Sequence, residues 1–251
     1  MKRITLLLFL LLSFSSEVMG EVSNNFRELL QQGNHKYLEG DFQEALNFYL
    51  EGEKKISNGY LYYNIGNCYY RLEQKGEALA YYRKAEKLIP DFQDLQANIG
   101  YIVDEKTDPV EVNKVDKWLK TLLFFNDSVS LATLLTLSIV SLGLSLFFYV
   151  IRLFFTKKRF LWFSLSFTFL FIIFAASSSL KYYEDYILVS GVITVKEVDV
   201  KSERNEKAVT LFKLHQLTEF NLISESDGWF NILFSNGKKG WIKASEAILI
   251  K

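Results

Sequence analysis

Three uncharged apolar runs interrupt an otherwise polar chain of 251 residues. The first run, 4–12, follows Lys2 and Arg3 and precedes a polar region that ends at Gly20, a pattern typical of a cleaved secretory signal. The other two runs, 128–151 and 160–180, are each long enough to cross about 30 Å of hydrocarbon as a helix. We therefore predict a signal peptide over 1–20 and two transmembrane helices. An uncleaved N-terminal anchor is the alternative for the first run.

The charges between the two predicted spans indicate their orientation. Residues 152–159 carry four basic side chains and no acidic one, as expected for a loop retained in the cytoplasm. A secretory signal sends the preceding segment outward, so we predict that both soluble domains are extracytoplasmic, at a bacterial inner (cytoplasmic) membrane. Each span also carries a stripe of small or hydroxyl residues, which is expected to face the other span or a partner helix. The stripes comprise Ser130, Thr133, Ser138, Ser141 and Ser145, and Ser164, Thr168, Ala175, Ser178 and Ser179.

Composition argues against several classes of protein. The chain has 29 basic and 29 acidic residues, one cysteine and two histidines, which disfavours disulfide scaffolds, zinc clusters and nucleic-acid binding. Neither predicted span contains an internal ionisable residue, so a proton relay or ion pathway is not expected. His35 and His215 are isolated in the sequence, and Cys68 occupies a small, buried position of the repeat described next. We expect no catalytic residue, no metal and no cofactor, and therefore a protein that is not an enzyme.

Residues 21–105 contain an internal repeat with a 33-residue offset. The matched positions are Gly33 and Gly66, Asn34 and Asn67, Tyr37 and Tyr70, 44–46 and 77–79, and Tyr49 and Tyr82. A partial third copy follows at 97–100. The second copy resembles the tetratricopeptide repeat, which implies an all-α solenoid of about two and a half helix pairs. In this pattern Gly66 and Ala78 allow close helix approach, Tyr69 and Tyr82 fill the space between the helices, and Pro90 ends the second helix.

The resemblance implies a concave surface that binds a peptide or a helix of another protein. On the inward-facing positions the sequence places our candidate partner-binding residues: Leu30, Asn34, Tyr37, Tyr63, Asn67, Tyr70 and Arg71. Asn34 and Asn67 match members that hold a partner's terminal carboxylate, but Leu30 replaces the lysine expected there, so we predict no carboxylate clamp. The alternative is that these tyrosines only pack between helices.

Residues 106–127 predict an amphipathic linker helix after the helix stop at 107–109. Their apolar positions recur at helical spacing from Val112 to Leu123. The helix could lie at the outer membrane–water interface, beside Trp118, or pack on the repeats. The sequence leaves both options open.

After Tyr186 the pattern changes to short alternating segments. We predict five strands, over 187–195, 208–213, 219–223, 229–234 and 240–243, forming a small all-β barrel within 181–251. The Gly-Trp pairs at 228–229 and 240–241, with Asn236-Gly237 as a two-residue turn, resemble the bacterial SH3-like domain. Leu217 stands where that family usually has glycine. Trp229 and Trp241 are candidate partner-binding residues, and packing within the barrel is the alternative.

The order of signal, repeats, membrane hairpin and SH3-like domain resembles the BatE family of the Bacteroides aerotolerance operon. That resemblance implies membrane partners with von Willebrand factor A domains, a MoxR-type ATPase system, and a role in oxidative or envelope stress. We expect a non-enzymatic inner-membrane scaffold that binds partner proteins through both soluble modules. The alternative is a cell-wall sensor that binds peptidoglycan through the SH3-like domain.

Overall fold

The computed structural model describes residues 25–108, 129–155, 157–183, 187–234 and 237–250. The predicted signal peptide and residues 109–127 of the predicted linker helix lie outside these ranges. The described residues form a helical N-terminal part, two long apolar helices and a C-terminal antiparallel sheet.

The described residues of the N-terminal part form five helices. They are α1, described over 25–39, α2 (Phe42–Glu53), α3 (Gly59–Arg71), α4 (Lys75–Leu88) and α5 (Gln93–Val103). The side chain of Asp41 accepts a hydrogen bond from the Glu44 N–H, and that of Asn58 accepts one from the Leu61 N–H, each at 3.1 Å. These two caps satisfy amide groups that the first turns of α2 and α3 leave unpaired.

Glycine and tyrosine meet in the same way within each complete repeat. A Cβ atom at Gly33 would lie 2.5 Å from the Tyr49 ring, and one at Gly66 would lie 2.5 Å from the Tyr82 ring. Only glycine permits so close an approach, and both rings are almost completely buried. The predicted roles of Gly66 and Tyr82 are therefore confirmed. Pro90 follows the end of α4, as predicted.

The two long helices, α6 (Leu131–Phe154) and α7 (Lys158–Tyr182), pack against each other. Both are long and apolar enough to cross a membrane, and most of their large apolar side chains are exposed. Hydroxyl groups lie between them: Ser145 Oγ is 2.7 Å from Thr168 Oγ1 and donates to the Ser164 carbonyl at 3.1 Å. Part of the predicted stripe thus faces the other helix, whereas Ser179 is exposed.

The C-terminal strands form one open sheet. They are β1 (Ser190–Ile193), β2 (Glu197–Lys201), β3 (Thr210–His215), β4 (Glu219–Ser226), β5 (Trp229–Leu233), β6 (Lys239–Lys243) and β7 (Ala247–Ile250). Their order is β3-β2-β6-β5-β4-β1-β7, and all neighbours are antiparallel. The predicted barrel is therefore wrong, because the edge strands β3 and β7 do not pair. Instead β7, together with β1, packs against α4.

Two turns of the sheet contain positions that the sequence analysis singled out. Asn236-Gly237 was predicted to form a two-residue turn between β5 and β6, and the Gly237 N–H donates to the Phe234 carbonyl at 2.9 Å. Asn236 itself lies outside the described residues. Leu217 adopts a φ of +71°, the left-handed conformation that favours glycine. Its side chain is buried among residues of the helical part, which offsets the strain.

The helical part and the sheet share one core. Val192, Leu217 and Ile250 join the buried side chains of the repeats, and a Cβ at Gly76 of α4 would lie 2.6 Å from the Thr194 backbone. These contacts join residues that precede α6 to residues that follow α7. A membrane crossed by both long helices therefore has the two soluble domains on one side and the α6–α7 connection on the other.

Candidate functional site

A cavity of about 260 Å³ opens on the surface formed by α1 and α3. Its lining comprises Asn34, Tyr37, Leu38, Tyr49, Asn64 and Asn67. Three of these residues, Asn34, Tyr37 and Asn67, were predicted from the repeat register to face inward. The repeat packing thus brings these three predicted residues together in one concavity.

Tyrosine hydroxyls orient the two asparagines in matching ways. The Tyr49 hydroxyl donates to Asn34 Oδ1 and the Tyr82 hydroxyl donates to Asn67 Oδ1, both at 2.7 Å. Asn98 of α5 also donates to Asn67 Oδ1, at 3.1 Å. Since the oxygens already accept hydrogen bonds, the amide NH₂ group of Asn34 and that of Asn67 are left as donors within the described part of the chain.

Burial keeps these hydroxyls in their donor form. It raises the pKa of both Tyr49 and Tyr82 well above the usual range, because a phenolate would have to leave water. Both hydroxyls therefore stay protonated at physiological pH and remain able to donate to the asparagine oxygens.

The other predicted groove residues divide into packing and surface positions. Tyr63 packs edge-on against Phe92, with ring centroids 5.0 Å apart, and Leu30 packs partly buried against the repeat core. Tyr70 is 39% exposed, and the exposed guanidinium of Arg71 lies 4.2 Å from the centroid of the Phe42 ring. Tyr70 and Arg71 are thus the predicted aromatic and charged groups most accessible to a partner.

Three further residues belong to this surface and were not predicted. Leu38 is 86% exposed beside the cavity, Asn64 lines it, and Asn98 joins the Asn67–Tyr82 pair. Two of them, Asn64 and Asn98, could have been predicted from the repeat register, because they are 34 residues apart in equivalent helices.

Both candidate tryptophans of the sheet face away from its core. Trp229 pairs with Lys243 and Trp241 with Asn231, whereas the alternating residues Phe230, Ile232 and Ile242 are buried. Trp229 lines a polar cavity of about 410 Å³. Trp241 lines a separate one of about 450 Å³. Neither ring packs in the sheet core.

Comparison with known families matches residues 59–92 to the family described as Tetratricopeptide repeat. This range covers α3 and α4, the pair that holds the Gly66–Tyr82 contact. Residues 59–92 are a tetratricopeptide repeat. The match covers one copy, and neither comparison identifies an SH3-like domain or a Bat-type protein. No curated protein matches the chain.

Metal and thiol chemistry have little support at this site. Across the described ranges, no group of three or more His, Cys, Asp and Glu side chains is placed to hold a metal ion. Cys68 is fully buried, and burial raises the pKa of its thiol to about 12. Cys68 therefore acts as a small packing residue of the repeat.

Proposed function

We propose that the protein is a non-enzymatic membrane scaffold that binds partner proteins through the concave surface of its repeats. The observation that carries this proposal is the pair of tyrosine-oriented asparagines, Asn34 and Asn67, which line one cavity. Tyr70 and Arg71, three and four residues after Asn67 on α3, are exposed. Amide donors beside aromatic rings suit the carbonyl groups and apolar side chains of a peptide. The sheet packs mainly on α4 and leaves this surface open.

The long helices would anchor this scaffold in a bacterial inner membrane. The basic side chains of Arg152, Lys157, Lys158 and Arg159 favour a cytoplasmic α6–α7 connection. Because the two soluble domains contact each other, both would then lie on the extracytoplasmic side. The order of the modules supports partners of the Bat type, with von Willebrand factor A domains and a MoxR-type ATPase system.

Site-specific photo-crosslinking in native membranes tests the proposal. A photoreactive residue replaces Tyr70 in the groove or, as a control, Glu51 on α2, which is also exposed. We expect Tyr70 to capture a distinct protein that Glu51 does not, and proteins with von Willebrand factor A domains would support the Bat-type assignment. Equal capture at both positions would refute binding at the concave surface.

Alanine variants separate binding from folding. Tyr63→Ala and Tyr70→Ala should weaken partner capture more than Trp229→Ala does. Tyr63 packs against Phe92, so its variant also tests stability, whereas Tyr70 is accessible. Melting temperatures report folding. If Tyr70→Ala retains both its melting temperature and full capture, the groove is not the main docking surface.

A cell-wall sensor is the second candidate function. It is favoured by the outward-facing Trp229 and Trp241, each beside a polar cavity, since aromatic rings on an open sheet face can stack on a ligand. Saturable binding of the full-length protein to purified sacculi, lost in Trp229→Ala or Trp241→Ala, would support the sensor. Absence of saturable binding would leave the scaffold as the better explanation.

A further inference from the structure

Four cations at the α6–α7 connection form a basic patch, which consists of Arg152, Lys157, Lys158 and Arg159. Arg152 is half-buried and the other three are exposed. The sequence contains no acidic residue over 128–183. Within the described ranges, no ion pair involves a member of the patch. The described part of the protein therefore leaves this positive charge without an acidic counterpart.

The lengths of the two helices place the basic patch at the level of the lipid headgroups. Helix α6 has 24 residues and α7 has 25, which correspond to about 36–38 Å, slightly more than the roughly 30 Å of hydrocarbon in a bilayer. Both helices therefore end within the headgroup region. Only residues 155–157 lie between them, so the connection is too short to carry the patch out into bulk water.

Aromatic side chains beside the basic patch indicate the same depth. Trp162 is 68% exposed and lies one turn after Lys158 on the same face of α7. The Arg159 guanidinium lies 5.0 Å from the centroid of the Phe160 ring, and Phe155 is exposed. Tryptophan in membrane helices concentrates at the boundary between hydrocarbon and headgroups. The rings thus suit the acyl chains, and the cations suit the charged groups that lie directly above them.

We propose that the basic patch binds the phosphate groups of anionic phospholipids in the surrounding leaflet. This inference rests on the proposed role of α6 and α7 as a membrane anchor. Lysine and arginine near a membrane surface are attracted to anionic lipids, and the guanidinium groups of Arg152 and Arg159 match the geometry of phosphate oxygens. An acidic protein fits less well, because a stable interface needs about 800 Å² on each partner, more than a three-residue connection offers.

Titration of lipid into the purified full-length protein in a neutral detergent tests this site. Native mass spectrometry measures the affinity for phosphatidylglycerol, which is anionic, for phosphatidylcholine, which is zwitterionic, and for inorganic phosphate. We expect phosphatidylglycerol to bind at least about tenfold more tightly than phosphatidylcholine, since each cation near the surface contributes to the attraction. This preference should disappear when all four cations of the basic patch are replaced with glutamine.

Two control variants separate charge at the basic patch from other effects. Arg152→Lys combined with Arg159→Lys keeps the charge of the patch, so it should retain the preference. The second control removes four exposed lysines from the soluble part, where they lie away from the lipid, and should also retain it. These substitutions are Lys54→Gln, Lys55→Gln, Lys207→Gln and Lys239→Gln.

Three outcomes would overturn the proposal. They are equal affinity of the wild type for the two lipids, an unchanged preference in the four-glutamine variant of the basic patch, and binding of inorganic phosphate as tight as that of phosphatidylglycerol. Flotation with pure phosphatidylcholine vesicles checks the membrane anchor separately, because insertion needs only the apolar surfaces of α6 and α7. Failure of the wild type to float would refute the anchor itself, whereas flotation without a lipid preference would refute only the lipid site.

Discussion

Replacing Glu219 with glutamine tests whether charge helps to hold the two soluble domains together. The Glu219 carboxylate in β4 accepts two hydrogen bonds from the Arg83 guanidinium in α4, each at 3.1 Å, and one from Lys106 after α5. The substitution keeps the size of the side chain but removes its charge. Arg83 would retain Glu86 at 2.7 Å, whereas Lys106, whose side chain is only 8% exposed, would lose a charged partner.

The size of the expected destabilisation follows from the partial burial of Glu219, Arg83 and Lys106. Removing one partner of a fully buried pair costs about 3–5 kcal/mol, and exposed pairs contribute about 0–1 kcal/mol. Glu219 and Arg83 are about a quarter exposed, so solvent screens them partly. We expect Glu219→Gln to lower the free energy of unfolding by about 2 kcal/mol. For a folded unit of roughly 150 residues this corresponds to a drop of about 4–8 °C in melting temperature.

The effect should depend on pH in one direction. Burial alone would raise the pKa of Glu219, but the charges of Arg83 and Lys106 outweigh it and hold the pKa below its usual range. A carboxyl group whose pKa is lower in the folded protein stabilises it above the unfolded pKa, about 4.3, and that contribution is lost as the pH falls through the folded pKa. The difference between wild type and Glu219→Gln should therefore be full at neutral pH and shrink in acid below about pH 4.

Thermal unfolding of the full-length protein in detergent measures this difference. The matched control is Glu197→Gln, which removes the same charge from a pair with Lys213 that is about half exposed and should cost less than about 0.5 kcal/mol. A double-mutant cycle of Arg83→Met with Glu219→Gln isolates the contact between the domains. Equal melting temperatures for the two glutamine variants at pH 7, or additive effects in the cycle, would refute the reasoning.

Two further predictions concern the repeat core. Gly66→Ala should lower the melting temperature, because the alanine Cβ would overlap the Tyr82 ring at an overpacking cost of about 1–3 kcal/mol. This cost exceeds the helix propensity of alanine, which favours the variant by about 1 kcal/mol. An unchanged melting temperature would contradict the close contact. Cys68 should react with a thiol reagent at pH 8 only after denaturation, because burial raises its pKa to about 12, and rapid labelling of the folded protein would show that the thiol is accessible.

The repeat could be predicted from sequence because its decisive contacts are local and recur. Gly33 meets Tyr49 and Gly66 meets Tyr82 at the same separation along the chain, so one pattern appears twice and fixes the helix register. The inward-facing positions of Asn34 and Asn67 followed from that register. Their hydrogen bonds to tyrosine hydroxyls did not, because a repeat pattern locates side chains without showing which of their atoms are engaged.

The arrangement of the sheet was harder to predict because it depends on contacts between residues that are far apart in the sequence. Strand β2 was missed although Val198 and Val200 alternate with charged residues, the pattern of a strand with one buried face. The barrel was predicted from five short strands and from the resemblance to the bacterial SH3-like domain, whereas β1 and β7 pack against α4. The Arg83–Glu219 pair joins residues 136 positions apart, and no local pattern in one sequence reveals such a pairing.

The contact between the two domains also bears on what the long helices do. Among the described residues, the main packing partner of α6 is α7, while the repeats contact the sheet directly through α4, β1 and β7. Apolar burial by Val192, Leu217 and Ile250 and the charges around Glu219 therefore hold the soluble part together without the hairpin. The hairpin would then serve to anchor one preassembled unit rather than to join two separate ones. Because the sheet packs mainly on α4, it would leave the proposed partner-binding surface on α1 and α3 uncovered.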